Sequence, residues 1–188
     1  MLKFKKYAVF LFVLLNLTSL NIFAASKTDE IDLHRASLSS YKDKTSPSYI
    51  KEKDKLKKLI EQSHIDYTPK GRVDDVKRLI NEKKYSAAIY ELKDMIDSKI
   101  EPSFCYEMLA VICSRTSDKT SDVVQYLKKA ISEDNDNVSA IYKLAKLYLK
   151  EKKNILGTEY LKKAVELSKT PQYFSEIENI ILYKVTVK

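Results

Sequence analysis

Glycine is almost missing from this 188-residue sequence: only Gly71 and Gly157 occur, 86 positions apart. A dinucleotide-binding G-x-G-x-x-G, a Walker-type phosphate loop and a G-x-S-x-G nucleophile elbow each need two glycines close together, so none can be written on this chain. Histidine and cysteine are as scarce, with His34, His64, Cys105 and Cys113 making up the whole supply. Zinc and iron sites draw mainly on those ligands, so no metal centre is expected. No acid–base or nucleophile constellation stands out, and neither enzyme activity nor a cofactor is expected. Against these absences stand 44% hydrophobic and 32% charged residues, enough for one compact unit or a short repeat array. The composition favours a binding protein.

The few ligand-type residues read as structural. Cys105 and Cys113 stand eight residues apart on one predicted helix, which at 1.5 Å rise separates them by roughly 12 Å, beyond disulfide reach. They read as buried thiols. His34 and His64 lack companion ligands and read as surface histidines. The acidic run Glu133, Asp134, Asp136 lacks the central glycine and the terminal glutamate of a calcium loop and reads as a turn.

At the N-terminus, Lys3, Lys5 and Lys6 precede the apolar run Tyr7 to Leu15, and the segment closes on Ile22-Phe23-Ala24-Ala25. A basic start, an apolar middle and a small-residue end make residues 1–25 a signal peptide, cut after Ala24 or Ser26. The alternative is an uncleaved anchor that would leave the chain associated with a membrane, since Tyr7 to Phe23 is 17 residues and about 17 to 25 can span a bilayer. Polar Asn16, Thr18 and Asn21 favour cleavage. On either reading the remainder is exported. Removing the leader lowers the formal charge from +8 to +5, because three lysines and no acids leave with it. The remaining lysines alternate with acids, as in Lys51-Glu52-Lys53-Asp54-Lys55, the pattern of a solvated helix face rather than of a nucleic-acid surface. The bias to Lys, Ile, Asn and Tyr fits an AT-rich bacterial coding sequence.

Residues 26–46 hold few large apolar side chains and no clear period, so a flexible tether is expected there. Order is expected from Ser46, an N-cap before Pro47, with Tyr49, Leu56, Leu59 and Ile60 giving a capping helix over 47–64 a narrow apolar stripe. Beyond it the chain has a period. Pro69, Pro102 and Pro171 are separated by 33 and 69 residues, about one and two lengths of a 34-residue unit. Leu109-Ala110 and Leu144-Ala145 recur in first helices, and Leu-Lys-Lys-Ala recurs at 127–130 and 161–164 in second helices.

At these residues the chain resembles the tetratricopeptide repeat family, in which paired helices of about 34 residues stack with Leu, small and aromatic residues at fixed offsets. Unit 138–171 carries the pattern best, through Leu144, Ala145, Tyr148, Gly157, Leu161 and Ala164. Unit 103–137 keeps Leu109, Ala110, Leu127 and Ala130 but has one inserted residue and Cys113 and Val123 at departing positions. Unit 69–102 is degenerate in its first helix, which keeps only Val73, Val76, Leu79 and Ile80. The expected fold is therefore all-α: an α-solenoid of about three such repeats over 69–188, with the 47–64 helix at one end and a C-terminal capping helix over 172–184 at the other.

The resemblance implies a concave face lined by the first helix of each unit, on which such arrays hold a partner segment. The family's offsets select Lys77 in the first unit, Phe104 and Glu107 in the second, and Tyr142, Lys146 and Lys150 in the third as partner-binding residues, with Val73, Ile80, Val111 and Leu149 beside them. The plainer alternative is that the apolar members pack on neighbouring helices and that Lys77 and Lys146 are merely solvated. Val73, Met108 and Ser139 replace the basic and asparagine residues with which chaperone-binding members clamp a C-terminal carboxylate, so that client class is not implied. The expected function is an exported, non-enzymatic scaffold of the bacterial cell envelope that binds an acidic or amphipathic segment of another envelope protein, in outer-membrane assembly or a periplasmic flagellar motor collar. Nucleic acid is not an expected partner. The alternative is a lysine-rich protein that adheres to an anionic membrane surface or cell-wall polymer.

Overall fold

The computed structural model describes residues 27–63, 65–117 and 119–168, and among them it holds eight helices and no strand. The chain is all-α. It divides into two units, one ending at Glu91 and the other beginning at Leu92. The leader expected over 1–25, His64 and the C-terminal helix expected over 172–184 lie outside the described residues.

The first unit contains α1 (27–39), α2 (Pro47–Gln62), α3 (Pro69–Asn81) and the start of α4 (Tyr85–Asp97). Pro47 and Pro69 stand at the first helical position, where the absent N–H has no intrahelical partner to lose. Ser46 and Thr68 precede them as N-caps; their side-chain oxygens accept the N–H groups of Tyr49 and Gly71 at 3.3 and 3.2 Å.

The tether expected over 26–46 is corrected here, because residues 27–39 form α1 and bury one face. Ile31 and Leu38 pack with Tyr49 and Leu56 of α2 and Tyr90 of α4. The rest of the buried face is charged: Arg35 is fully buried, and Asp32 nearly so. Asp32 accepts both terminal nitrogens of Arg78 at 3.0 Å, and Lys84 at 3.0 Å. Arg35 pairs with Asp75 and Glu91, and Glu91 in turn accepts Arg72 Nε at 2.6 Å. His34, expected as a surface histidine, is half-buried with Nδ1 2.6 Å from Glu52 Oε1, which ties α1 to α2. A segment whose buried groups are half ionic looks solvent-facing to any count of apolar residues, and it orders because each buried charge meets its opposite.

The same charges account for the degenerate appearance of α3. Arg72, Asp75 and Arg78 stand 69 positions before the apolar Ile141, Leu144 and Leu147. At those places α3 carries ionic groups that meet α1 and Glu91.

The second unit contains α5 (Pro102–Thr116), α6 (Thr120–Glu133), α7 (Val138–Lys150) and α8 (Asn154–Ser168). Here α5 packs on α6, α6 on α7 and α7 on α8, the neighbour-to-neighbour packing of an α-solenoid. Ala110, Val123, Leu127, Ala130, Ala140, Leu144 and Tyr148 form one core cluster, in which each large aliphatic side chain contributes roughly 1.5 to 3 kcal/mol by leaving water. Ala145 and Ala164 are fully buried. Gly157 lets α8 close on α7: a Cβ there would stand 2.6 Å from Leu149 Cγ.

Turns repeat as the helices do. After α3, Lys83 takes a left-handed conformation (φ 60°), with its N–H on Ile80 O and that of Lys84 on Leu79 O. After α7, 69 positions on, Lys152 (φ 61°) and Lys153 bond Leu149 O and Tyr148 O in the same way. The flanking sequence is Glu-Lys-Lys both times, at 82–84 and 151–153. Lys99 (φ 56°) and Ile100 close α4 with the same pair of bonds. These are Schellman turns, which satisfy the last helix carbonyls.

Candidate functional site

The second unit carries a groove of about 690 Å³ walled by α5 and α7 and floored by α6. From α7, Ser139, Tyr142, Lys143, Lys146, Leu147 and Lys150 face it, positions three or four apart that form one strip of a helix. Ala110, Val111 and Ser114 of α5 form the opposite wall, and Val123 and Leu127 of α6 the floor. No carboxylate lines it among the described residues.

Of the residues selected from sequence, Tyr142, Lys146 and Lys150 come together here, joined by Val111. Lys146 Nζ lies over the Tyr142 ring, 5.3 Å from its centroid, a cation–π arrangement that steadies the ammonium at the groove's edge. Phe104 is half-buried on α5 and does not line the groove. Lys77 stands on α3 in the first unit, exposed, with Asp74 Oδ1 3.6 Å from its ammonium.

Glu107 is buried rather than presented to a partner, and this corrects its expected place on the binding face. Its carboxylate accepts Lys143 Nζ, Ser139 Oγ at 2.6 Å and Asn137 Nδ2 at 3.2 Å. Asn137 also caps α7 by accepting the Ala140 N–H at 2.9 Å, and its amide reaches Ser103 Oγ at 2.9 Å. Glu107 thus pins the start of α7 to α5 and holds the two walls of the groove in place. Burial pushes its carboxyl up, but the hydrogen bonds from Lys143 and Ser139, the Lys143 charge and the Asn137 amide outweigh burial and hold it below the ordinary value of about 4.5.

Ser139, Lys143, Leu147 and the α6 floor were not among the residues selected from sequence. The first three share the spacing of Tyr142, Lys146 and Lys150, so following that stripe along α7 would have found them. Cys105 is fully buried and Cys113 half-buried, both as thiols. Burial, then Asp122, pushes the Cys113 thiol up, away from the reactive thiolate. In the acidic run, Asp134 Oδ1 accepts the Asp136 N–H at 2.9 Å and shapes the α6–α7 turn.

In comparisons with protein-family models, curated proteins and solved structures, nothing matches this chain.

Proposed function

We propose that this chain is an exported, non-enzymatic interaction module of the bacterial envelope, built from tetratricopeptide-type helix pairs, that takes a segment of another protein in the groove between α5 and α7. One observation carries the reading: an apolar floor lies beside a strip of α7 bearing an aromatic ring and the ammonium groups of Lys146 and Lys150, which no carboxylate among the described residues pairs. Such a surface offers dispersion contact below and charge attraction at the side, which is how a folded module selects a segment without chemistry. The recurrence of Leu-Ala, Leu-Lys-Lys-Ala and the Glu-Lys-Lys turn supports the repeat assignment. Among the described residues no helix is long and apolar enough to cross a membrane, and export rests on the basic, apolar and small-residue order of residues 1–25.

The test is in-cell photocrosslinking from position 114 on the α5 wall, exposed and lining the groove, with position 162 on α8 as control. One defined adduct is expected from 114, lost in Tyr142→Ala/Lys146→Glu while helix content and melting temperature stay near wild type. An adduct that survives the double substitution would move the site off this groove.

Adhesion to an anionic surface is the second reading, favoured by α2, where exposed Ile50 stands beside Lys51, Lys55 and Lys58. Retention that fades steadily as salt rises, indifferent to changes at Tyr142, would support it.

A further inference from the structure

The groove is asymmetric, and the asymmetry constrains its occupant. Every cation comes from α7, whereas the α5 wall is neutral and the α6 floor apolar. Lys143 is committed to Glu107. Lys146 and Lys150 are exposed, and among the described residues no carboxylate stands within ion-pair distance of either. Four residues apart on one helix, they are about 6 Å apart along its axis.

An occupant that satisfies both surfaces carries carboxylates about 6 Å apart on one edge and apolar groups on the adjoining side, a quarter-turn round. An extended chain repeats a face roughly every 6.6 Å, but its two faces point in opposite directions, so acids against α7 would leave the floor uncovered. A helix repeats at i and i+4 with about 6 Å rise and sets its next row of side chains roughly a quarter-turn away. A polyanion matches the lysines and leaves the half-buried Leu147 and Val111 of the groove uncovered.

We infer that the groove takes an acidic amphipathic helix of a partner protein, with two carboxylates at i and i+4 against Lys146 and Lys150 and an apolar row on the half-buried Leu147 and Val111, above the buried Val123 and Leu127. The inference rests on the reading of this groove as the partner site. The pair of ammonium groups sets register and chain position, and Leu147 and Val111 supply the apolar contact.

The probe is a synthetic helical peptide of roughly 15 residues, long enough to hold a helix, with glutamates at i and i+4 and leucines a quarter-turn round. Its comparators are a scrambled peptide of the same composition, a peptide with lysines in place of the two glutamates, and phosphatidylglycerol vesicles. Binding to the full chain is read by fluorescence anisotropy, and vesicle binding by sedimentation. The glutamate peptide is expected to bind at least about tenfold tighter than the scrambled one, Lys146→Glu/Lys150→Glu to abolish that advantage, and the lysine peptide to regain it on the double variant. Circular dichroism of the variant guards against misfolding. Equal binding of ordered and scrambled peptides overturns the inference, as does binding of the vesicles alone with loss in the same variant. If no peptide binds while the position-114 adduct still forms and still depends on Tyr142 and Lys146, the helix chemistry is wrong and the groove reading stands. If that adduct is missing too, both fall.

Discussion

Arg35 Nε lies 3.1 Å from Glu91 Oε2, and neither side chain reaches solvent. The pair joins α1 to α4, with Arg72 on the second oxygen of Glu91 and Asp75 on the far side of Arg35. Buried ion pairs add less net stability than apolar groups of equal size, but an orphaned partner is costly, so the arrangement fixes which face α1 docks on more than it strengthens the dock.

Replacing Glu91 with Leu strands the guanidinium groups of Arg35 and Arg72. The expected cost is about 3 to 5 kcal/mol in urea unfolding, against less than about 0.5 for Arg115→Met at an exposed site. A loss below about 1 kcal/mol for Glu91→Leu would mean that water reaches the cluster.

Acid should weaken both units. The Glu52 carboxyl is held below its ordinary value, chiefly by the hydrogen bond from His34, and Glu107 is held below by its hydrogen bonds despite burial. Because the folded values lie below the unfolded ones, the stabilisation is complete above about pH 4.5 and is lost as pH falls through the folded values. Melting temperature should therefore fall with acid below about pH 4.5, and Glu107→Gln, weaker at neutral pH, should show a shallower acid decline. An unchanged slope in Glu107→Gln would remove that carboxyl from the account.

The helix pairs were legible because their buried faces are apolar and repeat: Leu109-Ala110 with Leu144-Ala145, and Leu127 and Ala130 with Leu161 and Ala164, all buried. The helix start at Pro47 was legible from Ser46 before it, whereas the Thr68 cap before Pro69 went unread. The α1 helix was not, since Ile31 and Leu38 alone make a thin stripe and hydropathy assigns Asp32 and Arg35 to solvent. One signal did stand in the sequence: of 34 basic residues only four are arginine, and three of these, Arg35, Arg72 and Arg78, join the cluster. Where lysine is the default, arginine marks positions that need a planar, multiply bonded cation. In the groove, the four-residue spacing from Tyr142 was readable, but a family offset could not tell that Glu107 turns toward the cap of α7.

The repeat phase predicts where size is limiting. Ala145→Leu and Ala164→Leu should each cost roughly 1 to 3 kcal/mol by overpacking fully buried positions, whereas Lys162→Ala at an exposed site should stay within about 0.5. Unchanged melting curves for both alanine variants would put the phase wrong.

Gly157→Ala sets two effects against each other. Alanine favours a helix interior by about 1 kcal/mol over glycine, yet its methyl would stand 2.6 Å from Leu149 Cγ and 3.1 Å from the Leu149 nitrogen. The backbone atom cannot step aside, so a net loss of about 1 to 2 kcal/mol is expected by calorimetry. A gain would show that α7 and α8 have room to part.

Lys152→Gly should raise stability by about 0.5 to 1 kcal/mol, because its φ of 61° suits a residue without Cβ. Lys83→Gly, in the equivalent turn, should behave alike in thermal melts. A loss at either position would mean that the lysine side chain contributes more there than the left-handed backbone costs.

The burial of α1 also sets a waiting time. The partners of its buried charges, Asp32 and Arg35, lie 40 to 56 residues downstream, from Asp75 to Glu91, both paired with Arg35. A ribosome adds about 5 to 20 residues per second, so these two side chains spend roughly 2 to 11 s of synthesis before those partners are made. During that interval Asp32 and Arg35 remain hydrated, and α1 can be among the last of the described helices to join the first unit. That delay leaves α1 open to whatever handles nascent chains.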